Sequence, residues 1–168
     1  MRERKIIEKL KEMKQMFNNL EIPFFVQGGP VLFMYRDKKV HTADIDLGIL
    51  GEYYNIKKGE ILREIRKTKD YKERYVGDYI AFISEDIDID IWVFYKEGAY
   101  RICNFSSNRH VWDESLFENM EKIEIGGIEL NAPSPIEEYL TQTFGNWRIP
   151  NPDWDYSKSP ARARALLI

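Results

Sequence analysis

At 168 residues and 20.0 kDa, the chain has room for one domain with its own core, within the usual roughly 100–200 residues per domain, and none for two full catalytic domains. Its 25 basic and 28 acidic side chains leave a formal net charge of -3, so no field from the whole molecule gathers long nucleic acid. Cys103 is the only cysteine, which excludes an intrachain disulfide and a cysteine-built zinc site and points to a reducing compartment.

The opening stretch MRERKIIEKLKEMKQMF mixes charge into every turn where a signal peptide has an apolar block. No later segment approaches the ~20 apolar residues of a membrane span, so the expected location is cytoplasmic. Ile6, Ile7, Leu10, Met13, Phe17 and Leu20 recur at three- and four-residue steps, predicting an amphipathic helix that covers a sheet. After Pro23, Phe24-Phe25-Val26 reads as a short buried strand running into Gly28-Gly29. Pro30 suits the first turn of a second helix towards Arg36. From Ala43 to Leu50 the period is two, with Asp44, Asp46 and Gly48 on one face and Ile45, Leu47 and Ile49 on the other, the mark of a strand. A helix is expected over Glu60 to Lys69, and then an antiparallel meander of Tyr71 to Val76, Tyr79 to Ser84 and Ile87 to Tyr95. Tyr100 to Phe105 adds an edge strand.

Gly126-Gly127 between two isoleucine-rich runs signals a tight hairpin, because a primed turn needs positive backbone angles. Ser134-Pro135-Ile136-Glu137 reads as a capping box opening a helix at Pro135 that carries Tyr139 and Leu140 inward. From about residue 145 the chain is rich in proline and tryptophan and is expected to wrap irregularly over the domain. Arg162 and Arg164 precede the apolar Leu166-Leu167-Ile168; docking of this end onto its own domain is favoured over a membrane surface or a partner. Residues 1–168 thus form a single α+β domain, with a mixed or antiparallel sheet and helices packed on one side.

Asp44 and Asp46, two apart in a strand, leave the same face with attachment points about 6.5–7 Å apart. Ile87 to Tyr95 repeats the arrangement, Asp88 and Asp90 pointing one way while Ile87, Ile89 and Ile91 point the other. Were the two strands sheet neighbours, roughly 4.8 Å apart, three or four carboxylates would converge. Crowded carboxylates repel one another unless a cation joins them, and hard oxygen ligands suit Mg²⁺ or Mn²⁺. Phosphoryl transfer is the chemistry that uses such a site. A solvated polar strand face explains one aspartate pair equally well; two such strands favour the metal, with Asp44, Asp46, Asp90 and Asp88 as ligands. Gly28-Gly29, between strand and helix, offers backbone N–H groups to a phosphate, and Arg36 offers a planar fork.

In order, GGPVLFMYRDKKVHTADIDLGIL and the later Asp90-Ile91-Trp92 resemble the DNA polymerase β-like nucleotidyltransferase superfamily, and within it the LicD/fukutin family. Ala132-Pro133, Tyr139-Leu140, Phe144-Gly145-Asn146-Trp147 and Pro150 are similar to that family's closing segment. The resemblance implies a nucleotidyltransferase-like fold and transfer of phosphocholine or a phospho-alditol from a CDP-linked donor to a glycan or small hydroxyl acceptor. It implies Asp44 and Asp46 as metal ligands, Asp90 completing the site and helping to deprotonate the acceptor, and Gly28 and Gly29 facing the donor phosphates. Pro30 and Thr42-Ala43 depart from the family pattern, and the chain is short for it. The other readings are nucleotidyl transfer to a protein, small molecule or RNA end, and a non-catalytic nucleotide-binding member.

Of the remaining candidates, His41 reads as a polar loop residue, His110 lacks a paired acid, and Cys103 reads as a packing residue. Trp147, Trp154 and Tyr156 suit either stacking on a base or sugar, or anchoring the tail, and anchoring is favoured.

Overall fold

The computed structural model describes residues 2–40, 42–67, 71–105 and 107–168; His41 lies outside them. Its strands are β1 (Phe25–Val26), β2 (Asp44–Leu50), β3 (Lys72–Val76), β4 (Tyr79–Ile83), β5 (Asp88–Glu97), β6 (Tyr100–Phe105), β7 (Asn108–Asp113), β8 (Glu121–Ile125) and β9 (Ile128–Ala132). Its helices are α1 (Arg2–Asn19), α2 (Gly28–Arg36), α3 (Gly51–Arg66), α4 (Ile136–Phe144) and α5 (Pro160–Arg164). Strands β1-β2-β5-β4-β3 run in that spatial order, and β6 and β7 extend the sheet from the far end of β5. β2 and β5 are parallel while the other pairs are antiparallel. The result is a mixed α+β domain with a mixed sheet, as the periodicities predict.

The meander β3-β4-β5 forms in the expected places. The hairpin of β8 and β9 turns on Gly126 and Gly127 at φ of 55° and 74°, angles that glycine accepts without a Cβ penalty. In β2 and β5 the isoleucine faces are fully buried, with Ile45, Leu47, Ile49, Ile89 and Ile91 all at 0% exposure. That apolar backing, with α3 against both strands, holds the pair in fixed register and thereby fixes where the aspartates emerge.

Three elements differ from expectation. α3 begins at Gly51, nine residues before Glu60; Gly51 and Gly59 weaken the helical signal of this stretch, yet Tyr54 is buried beside Ile61, Leu62 and Ile65. At Gly51 a Cβ would stand 2.4 Å from the Tyr95 ring, so packing selects glycine in spite of its poor propensity. The predicted end of this helix at Lys69 lies outside the described residues. β7, unforeseen, pairs with β6 along its whole length. The capping box does not form: α4 starts at Ile136, whose N–H donates to Glu121 Oε2 at 2.8 Å, and Ser134 makes no side-chain cap. A distant carboxylate takes the role that the local pattern assigns to serine.

The tail from residue 145 carries α5, which packs against β7 and α4. Ser159 Oγ donates to the Thr143 carbonyl at 2.7 Å, Ala161 is buried, and Arg164 reaches Gln142 and Asp113. Docking onto its own domain therefore holds as far as Arg164, whereas Leu166 and Leu167 are 86% and 84% exposed. No helix is long and apolar enough to cross a membrane among the described residues.

Candidate active site

The parallel register of β2 and β5 sets Asp44 opposite Asp88 and Asp46 opposite Asp90. One ligand oxygen from each of Asp44, Asp46 and Asp90 lies within 4.8 Å of the others. The structure therefore brings together three of the four predicted carboxylates. Asp88 is turned aside: its Oδ1 accepts the Ser84 N–H at 2.8 Å and closes the β4–β5 turn, and it falls outside the cluster found among the described residues. Its in-phase position made it look like a ligand; a backbone donor in the adjacent turn gives it a local partner.

Each clustered carboxylate has a donor beside it. Thr42 Oγ1 donates to Asp44 at 3.0 Å, and the Trp92 indole N–H donates to Asp46 Oδ1 at 2.9 Å. The Tyr79 hydroxyl hydrogen-bonds Asp90. Burial pushes the Asp46 carboxyl well above the usual range, the charges of Asp44 and Asp90 add to the rise, and the indole bond opposes it. Burial likewise raises Asp90, to about 7, with the Tyr79 bond opposing and the Asp44 charge adding.

These groups fit a divalent cation. Three hard oxygen ligands converge, two of them at 6–7% exposure, and among the described residues no lysine or arginine pairs with any of them. Buried like charges of this kind are stable only when protonated or when a cation sits among them.

The carboxylates form the floor of a cavity of about 890 Å³. Its walls include the aromatic rings of Phe33, Trp92, Trp147, Trp154 and Tyr156. Of the two glycines, Gly29 lines this cavity while Gly28 does not. The Gly28 N–H is already given to the Tyr139 hydroxyl at 2.8 Å, which in turn donates to Gln27 Oε1 at 3.1 Å. Gly28 has φ of +59°, and a Cβ there would lie 2.8 Å from the Tyr156 hydroxyl and 3.3 Å from Asp46 Oδ2. Both the backbone angle and the crowding require glycine, so its place in the site is to make room.

Arg36 reaches the cavity but its fork is occupied. Nε and Nη2 donate to the two Asp37 oxygens at 2.7 and 3.0 Å, and Nη1 to the Trp147 carbonyl at 3.0 Å. Trp147 is buried and its indole donates to Thr141 Oγ1, while Trp154 packs on Phe144 with centroids 4.5 Å apart. The tail aromatics thus both anchor the tail and wall the cavity. Thr42, Tyr79 and Phe105 were not foreseen. Tyr79 had a readable signal, since it lies two residues before Ala81, which faces Asp90, and is itself opposite Trp92. Cys103 is buried and its thiol is pushed well up by burial, consistent with a packing residue. His110 stacks on Trp112 outside this cavity.

No protein-family model matches the sequence. The ribitol-5-phosphate transferases FKTN of Macaca fascicularis and Homo sapiens are each 24% identical over 176 aligned positions, covering 89% of this chain. The chain spans about a third of the length of these curated relatives, 35% in each case. Among solved structures, ANT(2")-Ia in complex with adenylyl-2"-tobramycin has a TM-score of 0.59 at 17% identity, with 97% of this chain and 90% of that one covered. A Thermotoga maritima structure described as a candidate nucleotidyltransferase has a TM-score of 0.52 at 17% identity, with 84% of each chain covered. The chain has the fold of these nucleotidyltransferases.

Proposed function

We propose that this chain is a LicD-like, metal-dependent transferase that moves a phospho-substituent, such as phosphocholine or a phospho-alditol, from a CDP-linked donor to a hydroxyl acceptor. The observation that carries this reading is the convergence of Asp44, Asp46 and Asp90 on the floor of a large cavity, with no side-chain cation among them from the described residues. Asp44 and Asp46 hold Mg²⁺ or Mn²⁺, and Asp90 completes the site. When bound, the cation supplies Lewis-acid stabilisation of charge on the transferring phosphoryl group. Asp90, on the cavity floor beside them, is placed to receive the acceptor hydroxyl's proton. The aromatic walls exclude water and offer faces to the base and to the acceptor. The donor diphosphate lies by Gly29, where the first turn of α2 opens on the cavity.

Charge supports a diphosphate diester over a triphosphate. Among the described residues the single basic side chain lining the cavity is that of Arg36, and its guanidinium is taken by Asp37 and the Trp147 carbonyl. A triphosphate carries more charge than this wall neutralises. Nucleotidyl transfer to a small molecule is the second reading, favoured by the near-complete overlap with ANT(2")-Ia, 97% of this chain and 90% of that one.

One assay separates them. The protein is incubated with Mn²⁺ and either CDP-linked donors or nucleoside triphosphates, and CMP and pyrophosphate are followed. CMP release supports the first reading; pyrophosphate release replaces it with the second. Asp44→Asn with Asp46→Asn should lower turnover by about 10³-fold, the loss of several kcal/mol of charge stabilisation. Undiminished turnover by that variant ends the metal assignment.

A further inference from the structure

Trp92 stands two residues beyond Asp90 on β5 and opposite Gly48 on β2. Its ring therefore leaves the same sheet face as Asp90 and Asp46. Trp92 is 2% exposed. Three rings from separate parts of the chain hold it: Tyr79 of β4 at 5.1 Å, Phe105 of β6 at 5.0 Å and Tyr156 of the tail at 5.2 Å between centroids. So confined, the indole directs its N–H at Asp46 Oδ1, 2.9 Å away. The second oxygen, Oδ2, is left facing α2, where a Cβ at Gly28 or Gly29 would lie only 3.3 or 3.9 Å from it.

We infer that Trp92 is a positioning residue for the cation site, fixing the Asp46 carboxylate through the indole N–H so that one oxygen is spent on protein and the other is presented to the metal. This rests on the metal reading given above. The physical need is specific to Asp46. It is buried and repelled by both others, and a hydrogen bond to one of its oxygens opposes its rotation. A hydrogen-bonded partner behind a metal ligand is worth about 10–100-fold in metal affinity. The neighbouring rings matter because an indole free to turn would fix nothing.

The test is Mn²⁺ binding, read by calorimetry and by electron paramagnetic resonance on the full chain. Trp92→Phe keeps an aromatic ring and removes the N–H, and Mn²⁺ affinity should fall about tenfold or more while the far-ultraviolet circular dichroism stays native. Trp112→Phe is the control. That buried indole donates to Thr143 Oγ1 at 3.0 Å and does not line the cavity, so its loss should cost stability and leave Mn²⁺ affinity within about twofold. Should Trp92→Phe fail to fold, a benzothienylalanine at position 92, which keeps the bicyclic shape without the N–H, should give the same loss. Native affinity in a folded Trp92→Phe or in the isostere overturns the inference, as does an equal loss in Trp112→Phe. Absence of Mn²⁺ binding by the wild type is a different result, and it overturns the metal reading itself.

Discussion

Two groups of acids are drawn into this protein, and they are neutralised in opposite ways. Around Arg101, whose side chain is 4% exposed, the chain supplies its own countercharge: the guanidinium grips both Glu52 oxygens at 2.6 and 2.7 Å and reaches Glu114 at 2.5 Å, and Lys96 joins Glu114 at 3.2 Å. At the near end of β2 and β5, Asp44, Asp46 and Asp90 converge with neutral donors alone, a threonine, an indole and a phenol. In the first group the bond to Arg101 lowers the Glu52 carboxyl. In the second, burial raises the Asp46 and Asp90 carboxyls. The contrast teaches that burial acts oppositely on a carboxylate with a guanidinium partner and on carboxylates that face one another: the first is held charged, and the second are driven towards protonation unless a cation joins them.

The sharpest way to break this contrast is pH. Asp90 has its folded value raised to about 7, so between pH 4 and 7 the native state holds a proton that the unfolded chain has lost. By linkage, stability of the metal-free protein must fall as pH rises through that window and level off above it. A shift of this size corresponds to roughly 4 kcal/mol. Denaturant titrations of wild type and Asp90→Asn in a chelator should diverge across that interval, and parallel curves would show that Asp90 titrates normally.

Next in size is the paired region. Arg101→Met leaves Glu114 short of its main partner and should cost about 3 kcal/mol, seen as a melting temperature lower by roughly 10 °C. Mn²⁺ affinity should not change. A coupled loss of metal binding would mean that the two acid groups are not independent.

The smallest expected effect has the opposite sign. Asp46→Asn removes one of three like charges while its amide oxygen can still accept from Trp92, so the metal-free protein should gain on the order of 1–2 kcal/mol. Excess Mn²⁺ should reverse the order, because only the wild type gains binding free energy from the ion. A destabilised Asp46→Asn without metal would place the carboxylate among structural groups, alongside Glu114.

Read as a string, the chain already determines much of this. Alternation in residues 43–50 and 87–95 fixes two strands and the faces on which Asp44, Asp46 and Asp90 lie, because a strand's period of two leaves no freedom once isoleucines claim the core side. Gly126-Gly127 fixes a hairpin by the backbone angles that it permits. These are local rules, acting within a few residues. What only the tertiary structure decides is who meets whom: that β2 and β5 are parallel neighbours, so that Asp46 faces Asp90; that Asp88 is diverted to Ser84 and Arg36 to Asp37; that Glu121 caps α4 in place of Ser134; and that the tail returns Tyr156 to the acid floor. Each depends on a partner that several acceptors or donors could equally have been. Sequence limits the candidates, and the burial of a shared core selects among them, since a carboxylate or guanidinium drawn inward takes whichever partner the packed backbone brings within reach.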